Sequence, residues 1–139
     1  MARMNRWKDW YEQGKRDLEG VGLRRIISSG SVKAVYLDRK KALQRIREVS
    51  AQAAGKFPEI MEIRLFGSLA KGEETGLSDI DIFLLVESAE KNPIERMKPY
   101  FMFFSEKLEI ALDLIVSTEG EKASFKDMLA DSLLLYSRD

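Results

Sequence analysis

The sequence predicts a small α/β (α+β) domain, in which a short mixed β-sheet has helices packed on one face. Apolar runs with strand character occupy residues 60–66 and 79–86, on either side of a glycine-containing segment. Residues 109–116 alternate between apolar and other side chains, which predicts a third strand. The length of 139 residues suits one domain with one core.

The segment before the first strand predicts helices. Residues 5–19 have an aromatic stripe with helical spacing, and residues 23–27 predict a short helix that ends at 28–31. Residues 32–55 predict one long amphipathic helix, with Gly55 near its end. Its apolar side consists of Val35, Ala42, Ile46, Val49 and Ala53.

Helices are also predicted after the second strand. Asn92 and Pro93 have the residue types of a helix start, and the apolar spacing continues to about residue 107. Pro99 within this segment predicts either a kink or a later start. Residues 123–136 predict a last helix, or a helix followed by a turn.

Composition excludes several classes of chemistry. Cysteine and histidine are both absent, which rules out disulfides, thiolate zinc sites and an imidazole base. No apolar run approaches the roughly 20 residues that span a bilayer, and the N-terminus lacks the apolar core of a secretory signal. We therefore expect a cytoplasmic protein that has no contact with membranes.

Charge is distributed unevenly along the chain. Residues 1–58 contain 14 Lys and Arg against 6 Asp and Glu, whereas residues 59–139 contain 9 against 17. Basic helices that cover an acidic half would explain this pattern. Attraction of a polyanion such as a nucleotide or RNA is the alternative.

Two short motifs carry the candidate chemistry. Gly67 and Ser68 end the first strand, and Gly67 permits close approach of a ligand, while Ser68 offers a hydroxyl and an N–H to an anion. Lys71 adds a positive charge about one helical turn later. Ten residues separate Ser68 from Asp79, and Asp79 and Asp81 project to one face of the second strand. Paired carboxylates of this kind suit Mg2+, with substrate phosphates completing its ligands.

Asp113 is the third candidate, because an aspartate within an apolar strand is costly to bury unless it is paired or binds a metal. If the third strand lies beside the second, Asp113 joins Asp79 and Asp81 on one face. Each motif alone is also compatible with a simple turn. The whole succession of strand, Gly-Ser, Asp-x-Asp, strand, helix and isolated strand aspartate is far more specific.

This succession resembles the signature of the DNA polymerase beta-like nucleotidyltransferase superfamily, and the short chain is similar to its minimal nucleotidyltransferases. The resemblance covers about residues 35–136 and implies a polymerase beta palm-like fold. It divides the chain into an N-terminal helical extension, residues 1–30, and a nucleotidyltransferase domain, residues 31–139. It also implies that Asp79 and Asp81 bind two metal ions, and that Asp113 binds one of them and activates the acceptor hydroxyl.

The resemblance further implies an activity and a partner. The activity is transfer of a nucleoside monophosphate, most simply AMP from ATP with Mg2+, to a hydroxyl acceptor. For minimal members the acceptor would be a tyrosine of a HEPN toxin, which makes the chain an antitoxin. The alternatives are a partner-binding regulatory module without turnover, and a transferase acting on a small molecule or a nucleic-acid end. Homo-oligomerisation and nucleic-acid binding stay open.

Overall fold

A four-stranded mixed sheet forms the centre of the computed structural model, which describes residues 24–29, 32–73 and 79–138. The predicted helix over residues 5–19 lies outside the described residues. The elements in chain order are β1 (Arg24–Ser29), β2 (Val32–Leu37), α1 (Arg39–Lys56), β3 (Ile60–Phe66), α2 (Gly67–Lys71), β4 (Ile80–Val86), α3 (Pro93–Leu108), β5 (Leu112–Thr118), a 3-10 helix (Glu119–Phe125), α4 (Lys126–Leu129) and β6 (Leu133–Ser137).

The strand order of the main sheet is β5-β4-β3-β6. β3 pairs antiparallel with both β4 and β6, whereas β4 and β5 are parallel. Parallel neighbours need a crossover connection, and α3 provides it between β4 and β5. The predicted mixed sheet is confirmed.

Helices α1 and α3 cover one face of this sheet with a continuous apolar core. Alternate residues of β4 face these helices and are fully buried, namely Ile80, Ile82, Leu84 and Val86. Ala42, Ile46, Val49 and Ala53 of α1 belong to the same core, as the spacing predicts. Within α3, Phe104 and Leu108 are buried against it, and Met97 and Phe101 are partly buried.

The opposite face carries a smaller apolar cluster. Phe66, Phe83 and Leu85 form its buried part, and Phe125, Met128 and Leu129 from the 3-10 helix and α4 pack on it. Two polar contacts attach this covering segment to the rest of the domain. Arg96 Nη1 lies 2.8 Å from Glu121 Oε1, and Lys122 Nζ lies 3.3 Å from Glu62 Oε1.

The predicted boundaries of α3 are close to those observed. The Asn92 side chain accepts hydrogen bonds from the backbone N–H groups of Ile94 and Glu95, and Pro93 occupies the first turn. The helix includes Pro99, so the late start considered above is wrong. No helix in the described ranges is long and apolar enough to cross a membrane.

Two helix predictions near the N-terminal side are wrong. Residues 24–29 form β1 rather than a short helix, and residues 32–37 form β2 rather than the first turns of a long helix. The two strands pair antiparallel, with Ser29 opposite Val32. Helix α1 begins only after Asp38, whose side chain accepts a hydrogen bond from Lys41 N.

The C-terminal prediction also fails in part. Residues 123–136 contain the end of the 3-10 helix and α4, but the Leu-Leu-Leu-Tyr run belongs to β6, which pairs with β3. A short apolar run does not distinguish a strand from a buried helix by periodicity alone. β5 begins at Leu112, later than the predicted start, because Glu109 adopts a left-handed conformation at the end of α3.

Candidate active site

Asp81 and Asp113 lie side by side on neighbouring strands. Asp81 of β4 is directly opposite Asp113 of β5 in the parallel pairing, and Phe66 of β3 is the partner of Asp81 on its other side. Both aspartates point to the face opposite α1 and α3, because their neighbours Ile80, Ile82, Leu112 and Leu114 belong to the core on the helical face. Strand pairing thus brings together two aspartates that are 32 positions apart in the sequence.

Gly67 contacts the carboxylate of Asp81 so closely that no side chain fits between them. A Cβ atom built on Gly67 would lie 2.1 Å from Asp81 Oδ2 and 3.0 Å from Asp81 Cγ. Gly67 also has a φ of +79°, in the left-handed region that favours glycine. Both properties require glycine here. Because Gly67 has no side chain, its backbone lies directly against the Asp81 carboxylate.

Ser68 and Lys71 follow Gly67 in the short helix α2. The sequence predicts a strand-to-helix transition here, and α2 indeed begins at Gly67 and ends before Gly72, which has a φ of +76°. Ser68 is half-buried and Lys71 is exposed in the last turn. Arg39 Nε donates a hydrogen bond to Leu69 O at 3.3 Å, which connects the start of α1 to α2. No local sequence pattern distinguishes Arg39 from the other basic residues of α1.

Asp79 is half-buried and lies immediately before β4, one position ahead of Ile80. The i, i+2 spacing of Asp79 and Asp81 is the basis for predicting that both side chains point to one face. In the ranges described, however, no three acidic side chains form a group that could hold a metal ion. The structure therefore brings Asp81 and Asp113 together by register and does not gather all three carboxylates into a ready metal cluster.

A cavity of about 450 Å³ adjoins Asp81 and Asp113. Its remaining lining is apolar and comes from Phe66, from Met97 and Phe101 of α3, and from Leu112, Leu114 and Ile115 of β5. The lining includes residues from both faces of β5, so the cavity extends around this end strand of the described sheet. The apolar helical spacing of α3 by itself indicates only core packing for Met97 and Phe101.

An ion-pair network lies on the same face of the sheet as the carboxylates. Arg64 Nε donates to Glu62 Oε1 at 2.6 Å, and Arg64 Nη1 donates to Ser132 Oγ at 3.2 Å. Burial by itself would raise the pKa of Glu62, but the hydrogen bonds and charges of Arg64 and Lys122 outweigh it and lower this pKa. The network fixes the covering segment near the site, and only the alternation of β3 could have hinted at it.

The chain belongs to the polymerase beta nucleotidyltransferase family, whose family model matches residues 44–139. The chain is 29% identical over 97 residues to a candidate protein adenylyltransferase of Methanocaldococcus jannaschii. This match covers 68% of the chain and 97% of that relative. The predicted family and the predicted fold class are thereby confirmed.

Solved structures have the same fold. A candidate nucleotidyltransferase of Sulfolobus solfataricus matches with a TM-score of 0.56 and 32% identity, over 72% of this chain and 84% of that one. A toxin-antitoxin complex with AMP-PNP matches with a TM-score of 0.54 and 20% identity, over 67% of this chain and 74% of that one. The second likeness concerns the fold alone.

Proposed function

We propose that this protein transfers AMP from ATP to a hydroxyl group of an acceptor. The observation that carries the proposal is the pairing of Asp81 with Asp113 directly beside the Gly67 backbone. Membership of the nucleotidyltransferase family supports the reaction class. A cytoplasmic location, where ATP is available, is part of the proposal.

The residues divide the reaction between them. The backbone at Gly67 and Ser68, with Lys71 nearby, binds the phosphates of ATP and orients the α-phosphorus towards the carboxylates. The acceptor oxygen attacks that phosphorus, and the bond from the α-phosphorus to the oxygen that bridges to the β-phosphorus breaks. Pyrophosphate leaves, and the hydroxyl proton passes to a carboxylate oxygen of Asp113. The products are an adenylylated acceptor and pyrophosphate.

Divalent cations fit the donor set of this site. Asp81 and Asp113 offer neighbouring hard oxygen donors on one face, and the Gly67 backbone lies directly against the first of them. Asp79, Asp81 and Asp113 would hold two Mg2+ ions, with phosphate oxygens as further ligands. When bound, such ions would reduce the electrostatic repulsion between the carboxylates and the phosphates and would stabilise the leaving group. Without them, paired carboxylates would repel ATP.

A tyrosine of a partner HEPN toxin is the acceptor that we propose, which gives the chain an antitoxin role. The sequence resemblance to minimal nucleotidyltransferases supports this choice, and the name of the Methanocaldococcus relative, a protein adenylyltransferase, supports a protein as the acceptor. Residues 1–30 would then be an extension to the nucleotidyltransferase domain of residues 31–139. A regulatory module that binds nucleotide without turnover is the second candidate. The apolar cavity and the basic charge of residues 1–58 both suit a binding role.

Thermal denaturation with ATP and Mg2+, compared with ATP and EDTA, tests the nucleotide site. We expect stabilisation only with the metal, and its loss in Asp81→Asn and Asp113→Asn. Asp131→Asn is the matched control, since Asp131 is exposed and distant in the sequence from the motifs.

Transfer of label from α-labelled ATP to a co-expressed partner then separates the enzyme from the binding module. Label on the partner that disappears in Asp113→Asn supports transfer. Metal-dependent binding of ATP with no transfer to a partner, a small molecule or a nucleic acid would favour the regulatory module. A response that does not depend on metal would refute both the site and its chemistry.

A further inference from the structure

The cavity beside the carboxylates lies mainly on the β5 side of them. Four of its eight lining residues belong to β5 and two belong to α3. Gly67 follows Phe66 at the end of β3, on the other side of Asp81 in the strand order β5-β4-β3. The Asp81–Asp113 pair therefore lies between Gly67 and most of the cavity.

This arrangement decides which reactant the cavity can receive, if the proposed nucleotide transfer is correct. In phosphoryl transfer the attacking and leaving oxygens lie roughly in line on opposite sides of the phosphorus. The leaving pyrophosphate lies on the side of Gly67 and Ser68. The attacking hydroxyl must consequently approach from the side of Asp113 and the cavity.

The lining indicates what carries that hydroxyl. Apart from its two carboxylates the cavity is apolar, and a binding pocket of this volume and composition suits a ligand with an apolar body and one polar end. Met97 and Phe101 are one helical turn apart on α3, and both are only partly buried, so a ligand can reach them. A phenyl ring and a thioether both pack favourably on an aromatic ring.

We propose that Met97 and Phe101 are specificity-determining residues, which bind the ring of an aromatic hydroxyl acceptor and direct its oxygen to Asp113. A serine hydroxyl would leave these two side chains without a ring to pack on. The inference rests on the proposed function, and it assigns acceptor selection to α3, a helix whose sequence pattern indicates only core packing.

Transfer rates to two small acceptors test this selection. N-acetyl-tyrosinamide and N-acetyl-serinamide are incubated with α-labelled ATP and Mg2+, and the ratio of their kcat/KM values is measured. We expect the wild type to prefer tyrosinamide, and Met97→Ala and Phe101→Leu to reduce the ratio about fivefold to tenfold, mainly through KM. Phe101→Leu keeps an apolar side chain, which protects the fold. Met102→Ala is the matched control, because Met102 lies on the same helix with 64% exposure and does not line the cavity. An unchanged ratio in both cavity variants would overturn the proposal.

A second measurement does not depend on catalysis. The six methionine methyl groups are labelled with 13C, and the full chain is titrated with N-acetyl-tyrosinamide and separately with ATP and Mg2+. We expect tyrosinamide to shift the Met97 methyl signal through the ring current and to leave Met102 unchanged, while serinamide shifts neither. A shift of the Met97 methyl signal with ATP and Mg2+ in the absence of tyrosinamide would place the adenine base in the cavity and overturn the proposal. The absence of any Met97 shift with tyrosinamide would also overturn it. If nucleotide transfer itself is absent, neither acceptor becomes labelled, whereas the tyrosinamide shift still reports on the cavity.

Discussion

Replacing Gly67 with alanine tests whether the glycine–carboxylate contact is essential. The new Cβ would lie 2.1 Å from Asp81 Oδ2, 3.0 Å from Cγ and 3.3 Å from Cβ of the same residue. Rotation of the carboxylate removes only the first of these contacts fully, because Asp81 Cβ is fixed to strand β4. The Asp81 carboxylate must therefore turn away and its Cβ must shift by a few tenths of an ångström, which displaces the carboxylate from its position beside Asp113.

The magnitude follows from two contributions. A non-glycine residue with left-handed φ costs about 1–2 kcal/mol, partly offset by the reduced freedom of the unfolded chain. Accommodating the clash adds about 1–3 kcal/mol, as for other overpacked sites. We therefore expect the free energy of unfolding of Gly67→Ala to fall by about 2–4 kcal/mol. Proposed AMP transfer should fall about a hundredfold, because a displacement near 1 Å has this effect on reacting groups.

Gly72→Ala supplies the matched control for this experiment. Gly72 has nearly the same φ, +76°, but a Cβ atom there would meet nothing within 4 Å. It should lose only the backbone contribution, about 1 kcal/mol, and keep its activity. Both variants are measured by urea denaturation and by label transfer.

A double-mutant cycle identifies the contact itself. Asp81→Ala removes Oδ2 and Cγ, so Gly67→Ala should cost less in that background, with a coupling free energy of at least about 1 kcal/mol. Additive effects, or equal losses of stability in Gly67→Ala and Gly72→Ala, would refute the reasoning.

Three further predictions concern stability. Ser50 is fully buried, and within the described part of the chain its hydroxyl has no hydrogen-bond partner. Ser50→Ala should therefore raise the free energy of unfolding by about 0.5–1 kcal/mol, as measured by urea denaturation, and a decrease would contradict the absence of a hydrogen bond. Phe104→Ala should lower it by about 3–5 kcal/mol, because Phe104 is fully buried, and a loss below about 1 kcal/mol in urea denaturation would contradict its place in the core. The pKa of Glu62 is lowered from 4.5 on folding by Arg64 and Lys122, so its contribution is present above that pH and disappears as the pH falls through the folded pKa. Glu62→Gln should therefore be less stable than the wild type near pH 7, and this deficit should shrink as the pH falls below 4.5 and through the folded pKa; a deficit independent of pH would exclude the ion pairs as its cause.

The parts of the fold that the sequence predicted are those with long, unambiguous periodicity or explicit end signals. Helix α3 has an asparagine cap followed by proline, and β3 and β4 have apolar runs of strand length. The pairing of β1 with β2 is not evident from the sequence, because the apolar period near 3.6 of α1 continues back to Val35, although Asp38 marks the helix start.

The candidate site was partly predictable for a related reason. The i, i+2 spacing and the alternation around Asp113 fix which face each side chain points to, so the pairing of Asp81 with Asp113 follows once the strands are neighbours. No local pattern reveals that Met97 and Phe101 reach the cavity, or that Arg39 binds to Leu69 O, because these contacts depend on how helices pack on the sheet. The roles of all the candidate site residues stay predictions, namely those of Gly67, Ser68, Lys71, Asp79, Asp81 and Asp113.

The parallel pairing of β4 with β5 has a consequence for when the candidate site forms during protein synthesis. Asp81 is made early, but its neighbour Asp113 reaches it only after the whole of α3 has been translated and has crossed back over the sheet. Such non-local pairing forms late because the loop entropy must be overcome first. A nascent chain that stops anywhere before residue 113 would therefore contain Gly67 and Asp81 without the carboxylate that lies opposite Asp81 in the folded protein, so the proposed site is completed only late in synthesis.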